Sequence, residues 1–248
     1  AVQHHVFSSD GGYRTTFASP GLAPETVRRL ELLAGAAQSA HSSGASFSSL
    51  AFDEAQLVAS CTFVHGADHV GRRRLCTHSI VIPDALASRE AFNGAAPAAN
   101  LFMTPEVPAE RPGPYLAQQW PLLDDNALNE ARRQALVSLD DHSQAILAGL
   151  YAPSRTLVIA GEPADCHHRL GSAAWLLPSE IRRNLFFRTG AWPRAEAQSF
   201  GHVAAVMISH PDRLADYPVG EFIPINLFDG AVTAPSHPML RLLRDMQP

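Results

Sequence analysis

Side chains able to do chemistry gather at a few points along this chain. Cys61, His65 and His69 follow one another at four-residue intervals, with Cys76 and His78 just beyond. On a helix the first three would share a face and could hold zinc through sulfur and imidazole nitrogen. Cys61 belongs to a strand-like run, however, and His65-Gly-Ala-Asp-His69 reads as a loop, where that interval loses its geometric meaning. Cys61, His65, His69 and His78 are thus metal candidates only if the fold converges them, and no metal is expected. Asp165-Cys-His-His168 sets a thiol beside imidazoles, as a cysteine nucleophile requires. Consecutive helical residues point to different sides, which argues against such a pair. His4 and His5 would face opposite sides of a strand and could not readily ligate one ion. Arg72-Arg-Arg74 lies between Gly71 and an apolar strand. Guanidinium forks bind carboxylates and phosphates bidentately, so Asp68, Arg72, Arg73 and Arg74 form a candidate partner-binding loop. Arg182, Arg183 and Arg188, beside Phe186-Phe187, make a second surface of the basic and aromatic kind enriched in interfaces.

The remaining catalytic signatures are missing from the sequence. It has no Gly-x-Ser-x-Gly elbow and no His-Glu-x-x-His helix. Gly161-Glu-Pro-Ala lacks the repeated glycines of a dinucleotide turn, and no cofactor is expected. All nineteen basic residues are arginine, which removes a Walker lysine, a Schiff-base lysine and a Ser–Lys pair. A net charge of −5 gives no electrostatic reason to bind phosphate backbones and disfavours a nucleic-acid partner. Three scattered cysteines do not make a disulfide framework. No apolar run approaches the ~20 residues of a membrane span, and the N-terminus lacks a signal-peptide pattern. A cytoplasmic protein without a membrane partner is the expectation.

The elements that must position these residues can be read from periodicity. Gln3–Ser8 and Tyr13–Ala18 flank Asp10-Gly-Gly12 as a hairpin. Pro24 opens a helix that carries Val27, Leu30 and Leu33 at helical spacing. Phe47–Phe52, Gln56–Val64 and Leu75–Ile82 are strand candidates, the last two joined by a Gly66–Arg74 loop. Ala95–Trp120 is rich in Pro, Ala and Gly and marks a domain boundary. Beyond it, Ala127–Leu150 reads as a helix broken near Asp140-Asp141, followed by a Thr156–Ala160 strand and a Cys166–Leu177 helix. A short helix opened by Pro178, a Val203–Ile208 strand and a Phe222–Leu227 strand come next. Pro224 pushes the last of these to an edge, and a Pro238–Met246 helix ends the chain. The predicted fold class is α+β: an N-terminal mixed or antiparallel sheet domain with a helix over 1–110, then a smaller α/β, Rossmann-like domain over 111–248.

Three blocks, in order, carry a family resemblance: His5-Val-Phe-Ser-Ser-Asp-Gly-Gly-Tyr-Arg-Thr-Thr-Phe-Ala-Ser-Pro-Gly-Leu22, Gly66-Ala-Asp-His-Val-Gly-Arg-Arg-Arg-Leu-Cys-Thr-His-Ser-Ile80 and Leu176-Leu-Pro-Ser-Glu-Ile-Arg-Arg-Asn-Leu-Phe-Phe-Arg-Thr189. The sequence resembles the N-terminal and middle modules of bacterial GTPase-associated proteins. It departs from them at Cys76-Thr-His78, where the family usually has an aromatic residue and Ala before His, and at Phe186-Phe-Arg-Thr189. Family members are commonly longer, so a compact relative or an excised N-terminal piece is expected. The resemblance implies a non-catalytic regulatory or scaffolding module that binds a GTPase, or another subunit encoded nearby, in a bacterial conflict or signalling complex. The two-part layout is also similar, by fold analogy, to DENN-type exchange modules that grip small GTPases.

If such a module influenced hydrolysis, an arginine from Arg72, Arg73 or Arg74 would supply charge to phosphoryl transfer. The alternatives are a metal-dependent or cysteine hydrolase using the His-rich positions, and a purely structural subunit of a larger assembly.

Overall fold

A computed structural model describes residues 2–10, 12–39, 46–53, 56–83, 102, 125–151, 155–178, 181, 187–189, 205–208, 211–218 and 220–229. The domain boundary expected at 110/111 and the helices expected from Pro178 and over Pro238–Met246 fall wholly or mostly outside these residues.

The described elements follow the sequence periodicity closely. Strands β1 (Gln3–Ser8) and β2 (Arg14–Ala18) form the hairpin, and α1 spans Pro24–Ser39. Next come β3 (Ser46–Asp53), β4 (Gln56–Ala67) and β5 (Arg73–Pro83). Two helices follow, α2 (Asp125–Val137) and α3 (Asp141–Leu150). Asp140 separates them: its carboxylate accepts the Ser143 backbone N–H at 2.8 Å and caps α3, so the polar pair breaks the helix where expected. Then β6 (Thr156–Ala160), α4 (Pro163–Trp175), β7 (Phe187–Thr189), β8 (Ala205–Ile208), a 3₁₀ turn over Pro211–Asp216 and β9 (Phe222–Asn226) complete the order.

All nine strands hydrogen-bond into one sheet in the order β2-β1-β5-β4-β3-β7-β8-β6-β9. From β2 to β7 the pairing is antiparallel, and from β7 to β9 it is parallel. The fold is therefore mixed α+β, and the strands of its two halves meet at β3–β7 within a single sheet. Both outer edges carry features that resist further pairing. In β2 the register slips against β1 between Val6 and Phe7, and in β9 Pro224 is exposed.

Each half has its own packing. α1 lays Leu30 on Val58 and Val81, with Leu22 and Leu33 beside them. In the other half, β6 is apolar and buried from Leu157 to Ala160 because it is covered on both faces. Leu157 and Ile159 pack beneath Ile146 and Leu147 of α3 and Leu170 of α4, while Val158 and Ala160 meet Leu214 of the 3₁₀ turn and Tyr217 just after it. No helix among the described residues is long and apolar enough to cross a membrane.

Candidate functional site

The β4–β5 hairpin positions the arginine run. Cross-strand pairs run from Gln56↔Pro83 to Ala67↔Arg73, with an irregularity between Val64 and Ala67. The strands therefore reach further than the expected Gly66–Arg74 loop. His65 lies in β4 rather than in a loop, Arg73 and Arg74 belong to β5, and the connection shrinks to residues 68–72. The physical reason is that the bulge at Gly66, whose φ is +83°, lets pairing resume after the chain is displaced. Gly71, at φ +81°, closes the turn.

Asp68 organises this turn from inside. Its Oδ1 accepts the backbone N–H groups of Val70 at 2.9 Å and Arg72 at 2.8 Å, and its Oδ2 takes the Arg72 guanidinium at 2.7 Å. Desolvation opposes ionisation, yet these bonds from Arg72 and Val70 together hold the Asp68 carboxyl below its usual range. Arg72 stays 77% exposed at its side chain while ion-paired, and Arg73 is exposed on β5. Arg74 is turned inward by comparison. Its Nε donates to the Ala67 carbonyl at 2.8 Å, and its Nη1 meets Asp10 of the β1–β2 turn at 2.5 Å. The sequence treats the three arginines as equivalent, whereas the fold separates a brace, Arg74, from two outward cations.

The second predicted surface is described only in part. Arg182 and Arg183 lie outside the described residues; Arg188 is placed by its backbone in β7, opposite Ser48 of β3.

The fold does not gather the four metal candidates into one group among the described residues. Cys61 and His78 are cross-strand partners on β4 and β5, and both are buried. His65 packs its ring edge-on against Phe63, and His69 is exposed in the turn. Among the described residues no three His, Cys, Asp or Glu side chains come together as a metal-holding group. Sequence reasoning missed a different partnership. His4 Nδ1 and His78 Nε2 share a hydrogen bond of 3.1 Å across β1 and β5, and Phe102 stacks edge-on to His78 at 5.6 Å. His5 faces the other side of the sheet and bonds Thr15, whose hydroxyl donates to Glu31 of α1 at 2.6 Å. Desolvation pushes His78 down to about 3, and its neighbours His4 and His5 add to this; desolvation likewise lowers His5 to about 4, against the pull of Glu31.

The cysteines are equally unsuited to attack. Burial raises Cys61 to about 12, with Cys76 contributing. Burial also raises Cys166 to about 12, and Asp165 beside it pushes the same way. A thiol in either setting stays protonated at neutral pH and is a poor nucleophile.

No curated protein matches the chain. Residues 2–118 match the family described as GTPase-associated protein 1, N-terminal domain type 2. That stretch contains the hairpin, α1, the Asp68 turn and the whole antiparallel run from β2 to β3, so it is these elements that are similar to the GTPase-associated protein family.

Proposed function

We propose that this chain is a non-catalytic regulatory or scaffolding module that binds a GTPase encoded beside it, as part of a bacterial conflict or signalling complex in the cytoplasm. The contact is made through the Asp68–Arg74 turn, with Arg182, Arg183 and Arg188 as a second surface. The observation that supports this most is the conjunction of the family match over 2–118 with a rigid turn, inside that match, that presents Arg72 and Arg73 outward. An arginine held outward by its own backbone loses little freedom on binding, which favours carboxylate or phosphate recognition. In this reading the parallel strands β7-β8-β6-β9, with α3 and α4, are a Rossmann-like module that supports the contact and does no chemistry of its own.

The test is co-purification of the full chain with the products of neighbouring genes at low salt, followed by a GTPase assay on whatever is retained. A GTPase should be retained, and joint replacement of Arg72 and Arg73 by alanine should weaken retention by roughly tenfold or more. If hydrolysis is stimulated, the same variant should lose most of the stimulation, because an inserted arginine stabilises charge in phosphoryl transfer. Retention and rate that ignore both substitutions would sink the arginine contact.

A further inference from the structure

The Asp68 turn does not stand alone. β1 pairs with β5 so that Ser8 lies opposite Cys76, which brings the β1–β2 turn alongside the β4–β5 turn at one end of the sheet. Three further bonds fix them together: Ser9 N–H to the Leu75 carbonyl at 3.0 Å, Leu75 N–H to the Ser9 hydroxyl at 2.8 Å, and Arg74 to Asp10 at 2.5 Å. Each turn raises one large apolar side chain into solvent, Tyr13 at 68% exposure and Val70 at 61%. Exposed apolar groups rimmed by charge mark interaction sites more often than isolated ones do.

The charge of this end differs from that of the whole. Residues 10–14 and 68–74 carry four arginines, Arg14, Arg72, Arg73 and Arg74, against two aspartates, in a chain whose net charge is −5. Both aspartates are already ion-paired within the platform, Asp10 with Arg74 and Asp68 with Arg72. A cationic end on an acidic protein steers toward an acidic surface of a partner and away from the same end of a second copy.

We infer that the two turns form one docking platform for an acidic surface of the partner GTPase, with Tyr13 and Val70 as apolar contacts and Arg14, Arg72 and Arg73 as the cationic rim. Arg74 is a positioning residue that holds the two turns in register through Asp10. The inference rests on the GTPase reading above and adds the β1–β2 turn to the contact.

The experiment uses the purified full chain and the purified GTPase from the neighbouring gene, loaded with GDP or a non-hydrolysable GTP analogue, in calorimetric titrations at two salt concentrations. Tyr13→Ser and Val70→Ser should each weaken binding by roughly tenfold or more, and affinity should fall with salt. Leu32→Ser, which removes an equally exposed apolar group from α1, should leave affinity unchanged. Asp10→Arg and Arg74→Asp should each lower affinity, and the double swap should restore it, which loss of fold alone would not do. Near-wild-type binding by both Tyr13→Ser and Val70→Ser would overturn the platform while leaving the GTPase reading intact. Absence of binding by the unaltered chain in both nucleotide states would overturn both.

Discussion

Three buried histidines make the described part of this fold sensitive to mild acid. His4 and His78 bridge β1 and β5 on one face of the sheet, and His5 ties β1 to α1 through Thr15 and Glu31 on the other. The sidedness follows from strand alternation, which places neighbours in sequence on opposite faces. Burial depresses all three: His78 to about 3, His5 to about 4, and His4 below its ordinary value. The unfolded chain takes up these protons near pH 6.5, while the folded chain does not. The stability they confer is therefore complete above pH 6.5 and is lost progressively as pH falls toward the folded values. We expect the urea midpoint to decline between pH 6.5 and 5, a window above the usual range of unfolded carboxylates. His78→Gln, which keeps a bonding group for His4 but does not titrate, should make that decline shallower. A flat profile over the window would contradict the buried-neutral assignment.

Elements are held by tight local fits as well as by periodicity. Gly161 ends β6 and leads into α4, whose first position is Pro163. A Cβ added at Gly161 would lie 2.8 Å from Leu227 Cδ1, 2.9 Å from Cys166 Sγ and 3.0 Å from Leu227 Cβ. The Leu227 backbone N–H is itself fixed to the Ala160 carbonyl at 2.7 Å, so that neighbour cannot retreat easily. Gly161→Ala should cost about 1–3 kcal/mol by overpacking, measured as a shift in the denaturant midpoint at unchanged slope. A neutral result would mean that Leu227 and Cys166 repack freely. The α2–α3 junction shows a different kind of local control. Arg169 of α4 reaches both the α3 cap, Asp140, and Asp165 on its own helix, so one side chain fastens the helix break to the neighbouring helix. Its bond to Asp165 is 2.9 Å.

At the scale of the whole molecule, the antiparallel and parallel portions of the sheet meet where β3 pairs with β7. Among the described residues, β3 and β7 share the pairs Ser48↔Arg188 and Ser49↔Phe187, and β4 and β5 share ten. β7 is a three-residue strand, Phe187–Thr189, and local opening is easiest where little structure must break together. Backbone amides at the β3–β7 seam should thus exchange with solvent faster than those between Val58 and Thr62 in β4. Equal protection would show that the two portions open only as one unit.

Much of this architecture is legible without coordinates. Alternation in Gln3–Ser8 and Gln56–Val64, the apolar run that follows Thr156 up to Ala160, and Pro24 ahead of Val27 and Leu30 are local signals, because strand and helix periods are written in neighbouring residues. The break at Asp140-Asp141 and the edge position of Pro224 are legible for the same reason: capping and the missing proline N–H act at the residue itself. The sequence also contained the family blocks around His5–Leu22 and Gly66–Ile80. Only the tertiary structure decided that nine strands form one sheet, that His78 shares a hydrogen bond with His4, and that Arg74 braces Asp10 while Arg72 and Arg73 face solvent. These outcomes depend on strand order and register between segments more than sixty residues apart, and no local period specifies them. Tyr13 and Val70 carried a faint signal, an apolar residue set beside a turn glycine, whose meaning appears only when β1 and β5 bring the two turns together.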